Sequence, residues 1–498
     1  MSTEETLAVE GAPMEEDVSV LAERAFSRTT GADAIRGNAV RLLIDSKENY
    51  PAWLEAIRSA QRTIFFEMYI VDDDETGQSF AAALAERARA GVRVKVLCDW
   101  LGSWRGRGLW RDVEAAGAQV RMFNPPSLSS PLAWLARDHR KTLTIDGRVG
   151  FVSGLCVSRT WEGDPKKRLE PWRDTGIAIE GPAIAALESA FAQVWDAAGV
   201  ALDHGLLREP ASMPEAGEVM LRVIAGAPNA AGTYRLDLTI ASVARRYLWL
   251  TDAYYVGTAP YVQALAAAAR DGVDVRLLVP GASDIPWISP FSRAGYRPLL
   301  EAGVRVFEWN GTMLHAKTAV ADDFWSRVGS TNLNFASWLA NYELDVAIED
   351  EAFAHRMADQ YERDLERSTE IVLRRRSRIG PADASARRTA RRARAGSAGR
   401  AAAGAVTVGS ALSAALTNRR QLGPAEAGLL LRMGILGILI AVVAALWPAV
   451  VAWPLAFILA WFGFTWLAKS AQLRRKGNRA PRPARTAAGM PPEARGRE

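Results

Sequence analysis

Two stretches of this chain, 176 residues apart, carry the same spacing of chemically active side chains. His139-Arg-Lys141-Thr-Leu-Thr-Ile-Asp146 reads H-x-K-x-x-x-x-D, and His315-Ala-Lys317-Thr-Ala-Val-Ala-Asp322 repeats it. The likeness extends upstream. Residues 63–71 answer to 248–256, residues 90–97 to 271–278, and residues 114–124 to 300–310. Such an offset is too long for a solenoid repeat and suits one duplicated domain. Each half is expected to run strand, helix, strand, helix, strand, then the His-Lys-Asp strand. Short Val/Ile/Leu-rich runs alternate with Ala-rich helical stretches such as 80–90 and 261–270. That alternation implies an α/β fold, with helices covering a mostly β core.

The duplicated residues are a candidate catalytic set. In a strand, residues two apart share a face, so the His and Lys of each copy point the same way. If the halves meet, two imidazoles and two ammonium groups surround one point, which suits a phosphodiester. One neutral imidazole can attack phosphorus, and the other, protonated, can donate to the leaving alkoxide. The lysines can hold the non-bridging oxygens as charge builds. With histidine's ordinary pKa of about 6.5, the pair would work in a window of roughly pH 6 to 8. Asp146 and Asp322 complete the two sets and are expected to fix the local strand and turn. Glu67 and Asp252 occupy matching strand positions and are candidates to line the cleft. No His/Cys cluster suggests a metal, and neither a metal nor another cofactor is expected. Cys98 and Cys156 lie in apolar, strand-like stretches and read as buried free thiols.

The remaining organisation follows from composition. Residues 1–38 are acidic and poor in large apolar residues, a mobile tail or short peripheral helix without an apolar signal core. The first half is placed at 39–205, a Gly- and Pro-containing connector at 206–218, and the second half at 219–370. Residues 371–428 are Arg-rich, a linker suited to an anionic membrane surface. Residues 429–468 are almost free of charge, with Arg432 the exception. As one straight helix their uncharged part would be ~54 Å long, against ~30 Å for a bilayer's hydrocarbon core. Pro448 and Pro454 lie near the middle, and positive charge flanks both ends. A transmembrane hairpin, 429–447 and 453–468, satisfies both facts, with the two termini and the catalytic domain on the cytoplasmic side. A basic, Pro-containing tail fills 469–498.

The duplicated motif resembles the signature of the phospholipase D superfamily. The second copy continues with Gly329-Ser330-Thr-Asn332 at that family's spacing, and Glu343 lies where a downstream acid orients the histidine. The first copy continues with Ser153-Gly154-Leu-Cys156, a degraded form in which Cys156 cannot replace the amide. Trp172-Arg-Asp174 through Gly181-Pro182 is similar to a stretch of bacterial cardiolipin synthases. The resemblance implies two phospholipase D-like repeats, each a mixed sheet flanked by helices, packed as a pseudo-two-fold bilobal unit and followed here by membrane helices. It implies a covalent phosphohistidine; His139 is assigned as nucleophile and His315 as acid and base, with the reverse order as the alternative. Lys141, Lys317 and Asn332 would bind phosphate, Ser330 would support the site, Ser153 is a candidate for contact with substrate, and Asp174 and Glu343 would hold the imidazoles.

The function this implies is phosphatidyl transfer of the cardiolipin synthase type in a bacterial cytoplasmic membrane, with a phospholipid such as phosphatidylglycerol as substrate. Water as acceptor would make the enzyme a phospholipase D. A phosphodiesterase acting on nucleic acid is the third reading, and the apolar C-terminal segment argues against it.

Overall fold

The computed structural model describes residues 18–127, 135–167, 169–209, 212–285, 288–373 and 379–381, and scattered positions between 435 and 467. The first half contributes β1 (Ile35–Ile44), β2 (Thr63–Met68), β3 (Arg93–Asp99), β4 (Gln119–Phe123), β5 (Lys141–Ile145), β6 (Val149–Ser153) and β7 (Thr175–Glu180). The second contributes β8 (Val219–Gly226), β9 (Tyr247–Thr251), β10 (Asp274–Pro280), β11 (Arg305–Trp309), β12 (Thr318–Ala321), β13 (Trp325–Gly329) and β14 (Glu343–Glu349). The first half is ordered β1-β7-β6-β5-β2-β3-β4, and the second repeats this as β8-β14-β13-β12-β9-β10-β11. In each, the three strands around the first two crossover helices are parallel and the rest antiparallel.

The halves are not two separate sheets. β1 pairs antiparallel with β8, which joins everything into one mixed sheet of 16 strands, completed beyond β11 by β15 (Ser368–Leu373) and β16 (Ile379–Pro381). The two halves are thus joined through equivalent strands of the repeat, each keeping its own order of seven strands. The duplicated α/β architecture itself is as the repeat requires.

Local sequence explains the elements. β2 (TIFFEM) is buried along its whole length, as a strand covered on both faces must be, and so shows no alternation of apolar and polar residues. The helix Glu75–Arg89 starts on Asp74, whose carboxylate accepts the N–H of Gly77 at 2.9 Å. The helices Glu75–Arg89 and Ala259–Arg270 are each followed by a left-handed glycine, Gly91 and Gly272, at equivalent places in the repeat.

Of the two readings of the N-terminal segment, its described residues follow the short helix. Val18–Thr30 is a helix, and β1 begins at Ile35, paired with Leu221. The buried Arg222 ties this helix down through Glu23 at 2.6 Å and Ser27 at 3.1 Å. Cys98 and Cys156 are free and buried.

Two compact units are present. One comprises Met1–Pro125 and Leu135–Arg432, and the other Pro126–Trp134 and Met433–Glu498. Among the described residues no helix is long and apolar enough to cross a membrane. Most of the expected hairpin, and the Arg-rich linker and basic tail apart from residues 371–373 and 379–381, fall outside the described residues. The positions described within 435–467 are nearly all helical, and they include exposed Ile438, Leu446, Trp453, Phe457 and Phe464.

Candidate active site

The two motifs meet through short parallel bridges that cross between halves. Asp138 bridges Tyr342, with His139 N donating to Tyr342 O at 2.8 Å. Arg173 bridges Leu314, with His315 N donating to Arg173 O at 2.7 Å. Each histidine is thereby set beside an acid of the other half. His139 Nδ1 lies 2.8 Å from Glu343 Oε2, and His315 Nδ1 lies 2.8 Å from Asp174 Oδ2.

The carboxylates are held in turn. Ser330 Oγ donates to Glu343 Oε2 at 2.6 Å, and Asn341 Nδ2 to Oε1 at 3.3 Å. Trp161 Nε1 donates to Asp174 Oδ2 at 2.9 Å, and the Thr175 N–H to Oδ1 at 2.8 Å. Burial alone would raise both acids. The facing histidines and nearby lysines, with the hydrogen bonds, hold Asp174 and Glu343 below the usual carboxylate range. Ionised carboxylates only accept, so each neutral ring carries its proton on Nδ1 and presents an unprotonated Nε2.

Lys141 and Lys317 are buried beside their histidines, and each ammonium donates to the carbonyl of the histidine two residues before it. Lys317 Nζ also lies 3.0 Å from His315 Nδ1. Burial pulls His139 down to about 4, with Glu343 opposing and both lysines adding to the fall. Burial likewise pulls His315 down to about 3, joined by Lys317 and Lys141 and opposed by Asp174. Each lysine thus acts on the histidine of the other half as well as its own. Burial and the neighbouring Lys141 charge lower Lys317 to about 8, against the pull of Asp174. The expectation that both imidazoles titrate near their ordinary value is therefore corrected: the enclosed, cationic site disfavours imidazolium.

The aromatic surroundings are unequal. Tyr69 and Tyr254, at matching positions, meet His139 and His315 edge-on with ring centroids 4.7 Å and 5.8 Å away. His315 is also enclosed by Trp161 at 5.3 Å and Trp172 at 5.6 Å, both from the first half.

The other sequence candidates fall in different places. Asp146 and Asp322 sit at the far end of their strands, roughly 20 Å of extended chain from the imidazoles. Each adopts a left-handed backbone and gathers three N–H groups, Gln61, Arg62 and Thr63 for Asp146, and Arg245, Arg246 and Tyr247 for Asp322. They join strands and do not face the reacting groups, so they leave the catalytic set.

Glu67 and Asp252 do not line an open cleft. Both are fully enclosed. Thr142 Oγ1 donates to Glu67 at 2.7 Å, and Asp252 accepts the N–H groups of Leu333 at 2.8 Å and Tyr254 at 3.1 Å. Burial raises Asp252 to about 7 against those bonds and the Lys317 charge. Ser153 Oγ is turned to the Leu155 carbonyl at 3.2 Å. Asn332 is buried, with Nδ2 3.5 Å from Ser337 Oγ and its oxygen unpartnered among the described residues. Cys156, in the matching place of the first half, is enclosed beside Lys141.

Sequence reading missed Arg140, Trp161 and the tyrosines. Arg140 lies between His139 and Lys141 and so points to the opposite face. Its buried guanidinium bonds the carbonyls of Glu343 at 3.0 Å, Ala190 at 2.5 Å and Gly226 at 2.8 Å, tying the halves together beneath the site. Strand alternation could have shown its direction. No sequence signal marks Trp161.

A two-repeat sheet with paired, acid-anchored His-Lys sets defines a phospholipase D-like enzyme. The family model described as cardiolipin synthase, PLD-like domain, matches residues 53–195 and 239–365, more than half of the chain. Cardiolipin synthase of Alkalihalophilus pseudofirmus is 31% identical over 66% of this chain and 67% of its own length. Cardiolipin synthase A of Pseudomonas aeruginosa is 33% identical over 70% and 71%. Phosphatidylserine synthase of Haemophilus influenzae shares the fold, with a TM-score of 0.56 at 13% identity, over 70% of this chain and 92% of that one. The chain belongs to the cardiolipin synthase family, and it is a phosphatidyltransferase of that type.

Proposed function

We propose that the enzyme transfers a phosphatidyl group through a phosphohistidine, with phosphatidylglycerol as donor and acceptor. His139 Nε2 attacks phosphorus, and the bond from phosphorus to the glycerol headgroup oxygen breaks. His315 gives its Nε2 proton to the departing glycerol. The headgroup hydroxyl of a second phosphatidylglycerol then passes its proton to His315 and attacks the same phosphorus. The phosphorus–nitrogen bond breaks, and cardiolipin leaves. Lys141, Lys317 and the weakly engaged Asn332 amide hold the phosphate oxygens through both steps. Glu343 and Asp174 keep the Nδ1 protons in place.

The crossed His139–Glu343 and His315–Asp174 pairs carry this reading, because both engage Nδ1 and leave Nε2 as the reacting nitrogen, while lysines of both halves act on each ring. The assignment of His139 as nucleophile is favoured by access. Its side chain meets Tyr69, whereas His315 is enclosed by three aromatic rings, poorly suited to receiving a phosphatidyl group.

The catalytic halves are taken as 39–205 and 219–370, joined by 206–218. The uncharged C-terminal segment is taken as a membrane hairpin in a bacterial cytoplasmic membrane, with both termini cytoplasmic and the Arg-rich linker against anionic lipid. The exposed apolar side chains among its described positions support this.

The test is product analysis in detergent. Phosphatidylglycerol alone should give cardiolipin and glycerol, and a short competing alcohol should give the matching phosphatidyl alcohol. Acid-quenched enzyme should carry labelled lipid on His139. Phosphatidic acid as sole product would make the enzyme a hydrolase, and cleavage of nucleic acid with lipids untouched would overturn the lipid reading.

A further inference from the structure

The two histidine–carboxylate pairs are built alike except at one point. In the second half, the motif's own Ser330 supplies the hydroxyl that holds Glu343. The repeat offset of 176 residues places Gly154 opposite Ser330. Gly154 has no side chain to supply a hydroxyl, and a Cβ added there would meet Asp174 Oδ1 at 2.2 Å. Yet Asp174 Oδ2, the oxygen that meets His315, still receives a side-chain donor, the indole N–H of Trp161 at 2.9 Å. Trp161 reaches it from the short helix Arg159–Glu162, whose start is fixed by Ser158 Oγ accepting the Thr160 N–H.

We infer that Trp161 is a positioning residue for His315, taking over on the first-half carboxylate the part that Ser330 plays on Glu343. Its N–H fixes the orientation of Asp174, which fixes the Nδ1 proton and the direction of Nε2. Its ring also closes over the imidazole edge, with centroids 5.3 Å apart and planes at 87°. Trp161 is wholly buried. The degraded motif of the first half is on this view a relocated donor, not a lost function. The inference rests on the proposed role of His315 and Asp174.

The test compares Trp161→Phe, which keeps a ring and removes the donor, with a full-length enzyme carrying benzothienylalanine at 161, which keeps the indole shape and removes only the N–H. One hydrogen bond to a buried charged group corresponds to a loss of about ten- to a hundredfold in kcat. KM should stay within about threefold. With one donor gone, Asp174 concentrates its charge on His315, so the pH limb of kcat that reports this imidazole should move up by about one unit. Nitrogen NMR of labelled histidine should show His315 losing its single Nδ1–H tautomer. Wild-type kcat, pH limb and tautomer in the benzothienyl enzyme would overturn the inference, whether or not Trp161→Phe folds. Asp174→Asn and His315→Ala separate the two levels. Both inactive beside a wild-type-like 161 variant sinks only the role of Trp161, and both active sinks the shared-site reading beneath it.

Discussion

Because each acid serves the histidine of the other half, energetic coupling should run between residues far apart in sequence. His139 couples to Glu343 across 204 positions, and His315 to Asp174 across 141. Glu343→Gln keeps the shape and removes the charge. The lost bond, between a buried imidazole and a carboxylate, is worth about 1.5–3 kcal/mol. Glu343 does not reach the substrate in the proposed mechanism. The whole loss should therefore appear in kcat, as a fall of about ten- to a hundredfold or more, with KM little changed. The same substitution leaves the Oε1 side of the group able to accept from Asn341, so the fold should hold.

Double-mutant cycles on stability make the argument sharper. Combining His139→Ala with Glu343→Gln, measured by denaturant unfolding in detergent, should give an interaction energy of about 1 kcal/mol or more. The pair His315 and Asp174 should behave likewise. The pairs within one half, His139 with Asp174 and His315 with Glu343, should be additive within about 0.5 kcal/mol. Coupling confined to the pairs within one half would refute the crossed geometry and everything built on it.

Acid should destabilise the enzyme through the same rings. Both histidines are held below their ordinary pKa of about 6.5, at about 4 and about 3. The unfolded chain takes up protons that the folded site refuses, so this stabilisation is complete above pH 6.5 and is lost as pH falls toward those values, by up to about 1.4 kcal/mol per unit for each ring. Urea midpoints against pH should show it, and a slope unchanged in the His139→Ala, His315→Ala double mutant would contradict it. Asp146→Ala removes the acceptor of three backbone N–H groups and should cost about 2 kcal/mol or more in stability while leaving kcat per folded molecule near wild type; a collapse of kcat without loss of stability would return Asp146 to the catalytic set. EDTA should leave activity in detergent intact, since lysines and imidazoles carry the charge; loss restored by a divalent ion would refute that division of labour. Reporter tags at both chain ends should be cytoplasmic, and a tag after Arg475 found outside would replace the hairpin by a single span.

Much of this was legible before any coordinates. The repeat showed the succession of strands and helices along each half as far as the His-Lys strand, though not their order in the sheet, and H-x-K spacing put each imidazole and ammonium on one face. Asp174 and Glu343 were visible as acids, but not as partners of the opposite histidine. Sequence orders residues along one chain, and the bridges of Asp138 to Tyr342 and of Arg173 to Leu314 exist only once the halves meet. The matched Glu67 and Asp252 were visible too, yet their enclosure was not, since a strand buried on both faces shows no alternation to read. Trp161 was illegible because its donor replaces one that the repeat lacks, and a repeat shows only what both copies share. The N-terminal helix was one of two readings of an acidic segment, and its docking was what the sequence did not show. Its anchor, Arg222, is a buried charge that burial statistics place on the surface.

The depressed imidazoles fit the proposed reaction through a charge argument. In the free site two lysines face two ionised carboxylates, both rings are neutral, and a proton on either would be repelled by both ammonium groups. A neutral ring is what the nucleophile requires, and the free site supplies it well below pH 7. The acid requires the opposite. A bound phosphodiester adds one negative charge between the lysines, and in an enclosed site of low dielectric that charge acts strongly on neighbours a few ångströms away. It offsets the lysines and raises the proton affinity of both rings together. The ring whose Nε2 faces phosphorus spends its lone pair on the new bond, so the proton is left to its partner. The acid is charged by the arrival of substrate rather than in advance. An enzyme working this way should keep its kcat/KM acid limb low, near the free-site values, while the limb of kcat lies higher. Coincident limbs at the ordinary histidine value would mean that the site is wetter than this enclosure allows.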